Sequence, residues 1–336
     1  KSGWYFIVPL AVLIASLIIG YTPVRSATFS IIAVIIVSWM TSIPMTMERC
    51  IDAILDALRI MVPTVILLVA IGLVVNVVTT TGLGNVFSMM IVDWAGGSLL
   101  FTLVLIALAS LILGMGLPVI ASYIVLATLA APALYDLISQ PVMLDALQAA
   151  NLPANVQTII ELFDGDPVRA LAEMPAEMRQ LVRGELLDPA LITGMMLSAH
   201  LIIFWLSQDS NVTPPICLAA FAAAAIAGTR PMRTGLTSWK IAKGLYLVPV
   251  LFAFTPLITG SWSERLSVFV FACFGLYALA GILQWHLESR LNAGTAVLLL
   301  ISALCLLWTS FDVSIHLVGA AILVGVVFLQ RRSVEV

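Results

Sequence analysis

The chain is dominated by apolar runs, and most are long enough to cross much of a roughly 30 Å hydrocarbon layer. They fall at about 4–20, 26–42, 61–80, 99–113, 119–137, 191–207, 216–228, 245–259, 266–285, 293–308 and 312–329. In lipid every backbone N–H and C=O must bond within the chain, so such runs form helices or closed barrels. These runs are continuous rather than alternating, which excludes a barrel. The expected fold class is therefore an all-α polytopic membrane protein. Composition agrees, with 62% of the 336 residues hydrophobic and 10% charged. A soluble domain averages about 45–50% apolar and about 25% charged.

The few charges carry topological information. Net charge is −3 and the basic residues cluster at segment ends, a pattern of loop topology rather than nucleic-acid binding. Arg230, Arg233, Lys240 and Lys243 form a stretch without an acid, which places 229–244 on the cytoplasmic side. Counting spans outward from there puts both termini in the cytoplasm and 138–190 outside, with Arg25 the one mild violation. In that count 191–228 crosses as a broken helix and 99–137 is a re-entrant hairpin. The reverse assignment, with 99–137 crossing, is less economical and stays open. The chain opens with Lys1, and its first run is followed at once by another span without a cleavage site. It reads as a transmembrane helix, not a signal peptide, and the missing initiator suggests a fragment or processed piece.

Five regions follow: 1–60, scaffold helices and an interfacial arm; 61–137, a helix and the hairpin; 138–190, an acidic extramembrane insertion; 191–228, a discontinuous helix; and 229–336, C-terminal scaffold helices. The arm 47–60 places Ile51, Ile54, Leu55 and Leu58 on one stripe opposite Glu48, Asp52, Asp56 and Arg59, which suits a helix lying in the interface. Trp239, Lys240 and Lys243 suggest a second at 232–244. Within the insertion, Asp166-Pro167 and Asp188-Pro189 read as N-cap plus N1 proline. Pro153 and Pro175 mark other helix boundaries.

Two motifs can carry chemistry. Gly114-Met115-Gly116-Leu117-Pro118 separates two short apolar helices, and two glycines with a proline oppose helix continuity there. Irregular backbone at membrane depth survives only when buried in protein or lining a wet cavity, where carbonyls and helix ends can ligate ions. A simple proline kink is the bland alternative. The second motif is Ser207-Gln208-Asp209-Ser210-Asn211-Val212-Thr213-Pro214-Pro215, six polar side chains before two prolines inside an apolar segment. Asp209 is an intramembrane acid, costly to bury and functional by default. The helix expected from Ile216 would aim its positive end into this turn. Oxygen ligands from Asp209, Ser210, Asn211 and Thr213 suit Na⁺, and proton carriage by Asp209 is the other open reading. An ordinary polar surface loop is the bland one.

Other candidates are weaker. His200 on an apolar helix reads as a satisfied core histidine, and His286 and His316 sit near span ends. Asn76 and Thr79 to Thr81 fit either a cavity wall or an interfacial helix end. Cys50, Cys217, Cys273 and Cys305 are scattered and read as small hydrophobes. There is no HExxH, GxSxG or Walker loop, so metalloprotease, hydrolase and ATPase readings lack residues.

The two motifs resemble those of a known family. LILGMGLPVIASYIVLATLAAPAL (111–134) is similar to the second re-entrant hairpin of the large membrane component of TRAP transporters, more narrowly the fused TAXI type. AHLIIFWLSQDSNVTPPICLAAFAAAAIAGTRPMRTG (199–235) resembles the discontinuous helix that follows it. The likeness extends over roughly 1–260. It implies an elevator-type fold built from inverted repeats, of which this chain has one half. It also implies Na⁺-driven import of small organic anions through the bacterial inner membrane, with no cofactor. The partners implied are a periplasmic substrate-binding protein, the N-terminal half and the small membrane component of the permease, and membrane lipid. Carried over by motif, Gly114, Met115, Gly116, Pro118, Asp209, Asn211 and Thr213 would hold the ion. Ser210, Asn211, Thr213 and Pro214 would touch the substrate. A carboxylate permease without a binding protein, and a non-transporting membrane scaffold, remain alternatives.

Overall fold

The computed structural model describes residues 5, 7–41, 44–114, 117–149, 152–214, 217–308 and 313–334. Among these residues the regular secondary structure is helical, with one isolated bridge between His286 and Arg290. It divides into two compact units, Lys1–Ala70 and Ile71–Val336.

The first unit contains α1 (Ile7–Ile18), α2 (Pro23–Ser38) and the start of α3 (Met47–Thr80). Thr22 caps α2, its side chain accepting the Arg25 N–H, and Pro23 sets the first helical φ. The Ser30 hydroxyl donates to the Pro9 carbonyl at 2.9 Å, pinning α2 to α1. The arm expected at 47–60 and the span expected at 61–80 are one continuous helix of 34 residues, about 51 Å long. Nothing between Arg59 and Val62 is a glycine or a capping residue, so no signal stops one helix and starts another.

The second unit opens with α4 (Leu83–Trp94), α5 (Leu99–Gly114) and α6 (Val119–Leu147). The sequence reading missed α4, whose twelve residues include Asn85 and Asp93 and fall short of a span. Its start is marked by Gly82 at φ 69°, a left-handed conformation that glycine adopts without penalty. A Cβ on Gly84 would lie 2.9 Å from the Thr128 carbonyl oxygen, so α4 meets the backbone of α6 with no room for a side chain. The Ser88 hydroxyl donates to the Leu129 carbonyl at 2.6 Å in the same contact.

Helix α6 runs through Pro132 and Pro141 to Leu147, ten residues beyond its expected end, so 138–147 belongs to the helix and not to a separate insertion. Three short helices follow: α7 (Ala154–Glu161), α8 (Pro167–Glu173) and α9 (Ala176–Leu186). The Asp166 carboxylate caps α8 by accepting the Val168 N–H at 2.9 Å. Asp188 caps the next helix through the Ala190 N–H at 2.7 Å. Val156, Ile160, Ala170, Leu171 and Val182 join Met143 and Leu147 in one buried cluster with α5, α6 and α10 (Pro189–Ser207).

A 3₁₀ turn at 208–211 leads to α11 (Leu218–Ala227), which ends at left-handed Gly228, and then α12 (Pro231–Ile241). The run expected as a span at 245–259 winds instead as a 3₁₀ segment over 242–246 and the seven-residue α13 (Val248–Phe254). Gly244, Pro249 and Pro256 limit regular helix there. Trp205 of α10 meets Phe252 of α13 edge-on, with ring centroids 6.0 Å apart.

Helices α14 (Trp262–Gln284), α15 (Ala293–Leu306) and α16 (Val313–Val334) bury a separate apolar cluster. Small residues allow close approach, as is usual between helices in lipid. A Cβ on Gly275 would lie 2.6 Å from Leu307, and one on Gly319 2.8 Å from the Cβ of Cys305. The Ser302 hydroxyl donates to the Gly319 carbonyl at 2.7 Å. His316 stacks on Phe271 and lies 3.2 Å from the Trp308 carbonyl, a structural role. In the α14–α15 loop, hydrogen bonds from Arg331 and Tyr277 hold the Glu288 carboxyl below the usual carboxylate range. Among the described residues, α6, α10, α14 and residues 313–331 of α16 are each long and apolar enough to cross a membrane.

Candidate ion and substrate site

The two sequence motifs come together in the second unit. Helix α5 packs on α6, and only four residues separate them, so the chain doubles back as a hairpin. Gly114 is the buried last residue of α5. The Leu117 N–H still reaches the Leu113 carbonyl at 3.0 Å, and Pro118 then leaves helical geometry at ψ 155° as the N-cap of α6. Met115 and Gly116 lie outside the described residues. The turn 208–211 packs against α5, α6, α10 and α11, so the break in the second motif lies against the hairpin helices of the first.

Within the turn, Asp209 is the buried member, only 1% exposed. Its backbone carbonyl accepts the N–H groups of Val212 and Thr213 at 3.1 and 2.8 Å, which folds the chain tightly about it. Neither carboxylate oxygen has a hydrogen-bond donor among the described residues. A buried ionised carboxylate without a donor or a cation costs several kcal/mol at least, so this side chain requires a cation or a proton.

The other predicted ligands are arranged differently. The Asn211 amide donates to the Gln208 side-chain oxygen at 3.2 Å, which ties the turn to itself. The Thr213 hydroxyl lies 3.3 Å from the Tyr246 hydroxyl, which also accepts the Trp239 indole N–H at 3.2 Å. Thr213 is therefore anchored to α12 and the 3₁₀ segment after it. Ser210 lies in the turn, and its side chain falls outside the described residues, as do Pro215 and Ile216. Pro214 borders Gly235 of α12, where a Cβ would come within 3.6 Å of Pro214 and 2.5 Å of the Cys217 sulfur. The first helical residue of α11 is Leu218, with Cys217 as N-cap, two residues later than expected.

Sequence reasoning missed Tyr246, Trp239 and Gly235 as supports of this turn. The available signal was Gly235 inside a basic amphipathic helix, and it was local to α12. Nothing in the spacing tied it to residues twenty positions earlier. The threonines at the end of α3 take no part, since the Thr79, Thr80 and Thr81 hydroxyls all donate to carbonyls of their own helix.

The sequence profile of the family described as "Tripartite ATP-independent periplasmic transporter, DctM component" matches residues 1–258. The chain belongs to this family. The match ends just before α14, where the second apolar cluster begins. No curated protein and no solved structure matches the chain. DctM components are transporter proteins, not enzymes, and a multi-pass membrane protein is what the helices here form. Their tripartite systems include a binding protein and a small membrane component.

Proposed function

We propose that this DctM-family chain is the C-terminal part of a Na⁺-coupled permease that imports small organic carboxylates across the bacterial inner membrane. The observation that carries the reading is Asp209, an acid buried in a break of α10–α11 with no donor to its carboxylate among the described residues. Paired helix breaks in an apolar chain are the usual setting for ion and substrate sites in secondary carriers. Gly114, Met115, Gly116, Pro118, Asp209, Asn211 and Thr213 would surround the ion. Ser210, Asn211, Thr213 and Pro214 would face the substrate. The substrate would arrive on a TAXI-type periplasmic binding protein, with the N-terminal half and small membrane component completing the permease. The hairpin and broken helix would move together in an elevator motion, with the acidic cap on the periplasmic side and both termini of the chain in the cytoplasm.

Reconstitution tests this directly. The permease with its partner subunits is placed in proteoliposomes, and uptake of a labelled carboxylate panel is followed with and without an inward Na⁺ gradient. Accumulation that needs both sodium and the binding protein is the expected result. Sodium-driven uptake without the binding protein would remove the TAXI-type partner. Uptake driven only by a proton gradient would reassign Asp209 to proton carriage.

A further inference from the structure

Away from the Asp209 turn, α6, α9 and α10 line a partly open cavity of about 400 Å³. Its wall includes Arg183, Gln180, Tyr135, Asp136, Thr128 and His200. Arg183 is 3% exposed, which is unusual for a side chain that stays protonated in any protein environment. Its guanidinium donates one hydrogen bond to Asp136 at 2.6 Å and lies 4.1 Å from the centre of the Tyr135 ring.

The charge count is also unbalanced. Arg179 donates to the other Asp136 oxygen at 3.4 Å, so two guanidinium groups share one carboxylate. Among the described residues no other acid pairs with either arginine. Two guanidinium groups against one carboxylate, with the Arg183 side chain only 4% exposed, leave a net positive charge on the cavity wall that a second anion would balance. The guanidinium fork takes an oxyanion such as a carboxylate in a bidentate pair, and the carboxylate-import reading selects that class. The volume lies at the small end of the range for ligand sites, about 300–1,000 Å³.

We infer that the Arg183 cavity is a binding site for a small organic carboxylate, separate from the Asp209 turn. Asp136 stands eighteen residues beyond Pro118 on α6, about 27 Å along the helix axis from the hairpin break. His200 stands nine residues before Asp209 on α10, about 13 Å along that axis. A carboxylate held by Arg183 thus sits on the two helices that carry the motifs, at a distance from both. Taken with the carboxylate-import reading, on which the inference rests, the cavity is a staging position for the transported anion.

Titration calorimetry of the complete permease in nanodiscs tests the site. Succinate, glutamate and pyruvate are the probes, in sodium-free choline buffer, with sulfate as the control anion. Saturable binding of at least one carboxylate is expected, with sulfate weaker. Arg183→Gln leaves Arg179 and Asp136 as a neutral pair and should abolish the binding. Met196→Trp fills the half-exposed rim of the cavity without touching Arg183 and should weaken it about tenfold or more, a loss of roughly 1.4 kcal/mol. Because the titration is run without sodium, its outcome does not depend on the sodium assignment of Asp209. No saturable carboxylate binding in the wild-type permease would overturn the inference. So would sulfate binding as tight as any carboxylate, or unchanged affinity in both cavity variants.

Discussion

Asp209→Asn is expected to abolish sodium-gradient-driven uptake while leaving the permease folded. The amide replaces a carboxylate of nearly the same shape, so packing in the 208–211 turn is preserved. The backbone bonds that form the turn use the Asp209 carbonyl, which the substitution keeps. Only the charge is removed, and that charge has no donor around it among the described residues. Stability measured in sodium-free buffer should therefore be unchanged or raised. Stability measured against sodium concentration should separate the two proteins. A ligand at a hundredfold its Kd stabilises the state that binds it by about 2.7 kcal/mol, so the wild-type melting temperature should climb with sodium. The variant should not respond. A variant that still gains stability from sodium would place the ion elsewhere, and one that melts early even without sodium would make Asp209 a structural residue.

The hairpin, the broken helix and the acid inside it were legible because each is written locally. Two glycines and a proline within five residues oppose a continuous helix, and an aspartate amid apolar residues is conspicuous without any structure. The caps at Asp166 and Asp188 were legible for the same reason, since a cap is a contact over two residues. What could not be read was pairing over distance. Gly84 looks like an ordinary loop glycine until the Thr128 carbonyl is found 2.9 Å from where its Cβ would be. Thr213 stands out as a hydroxyl in the broken segment, and its contact with Tyr246 shows only in the fold. Nothing in the sequence around Arg183 marks it as buried, because the elements that enclose it, α6 and α10, lie far from it along the chain. The end of α6 was misplaced because Pro141 and the rise in polarity after Leu137 mimic a helix stop. The burial of Met143 and Leu147 against α7 to α9 carries the helix onward.

That burial sets up the second large effect. Helices α7 and α8 have eight and seven residues, too short to hold their form in water without tertiary packing. Ile160, with Val156, anchors α7 in the buried cluster shared with α6 and α10. Ile160→Asp removes roughly 1.5–3 kcal/mol of apolar burial and sets an unpaired charge in its place, which costs several kcal/mol more. The sum exceeds what such short helices can retain, so residues 154–186 should unfold as a unit. Hydrogen exchange should show their amides losing protection, while α14 to α16, which bury their own cluster, keep theirs. Protection retained across 154–186 would mean the cap does not depend on this contact. The same packing decides how docking of a binding protein on the cap must be tested. Deleting 140–186 would strip Met143 and Leu147 from the core and confuse lost docking with lost folding. Charge reversal at Glu161, Glu177 and Glu185, which are exposed, leaves the buried cluster intact. If the acidic face receives the binding protein, that triple variant should lower binding-protein-dependent uptake most at low salt, where exposed charges act over the longest range. Its melting temperature and its exchange pattern over 154–186 should match the wild type.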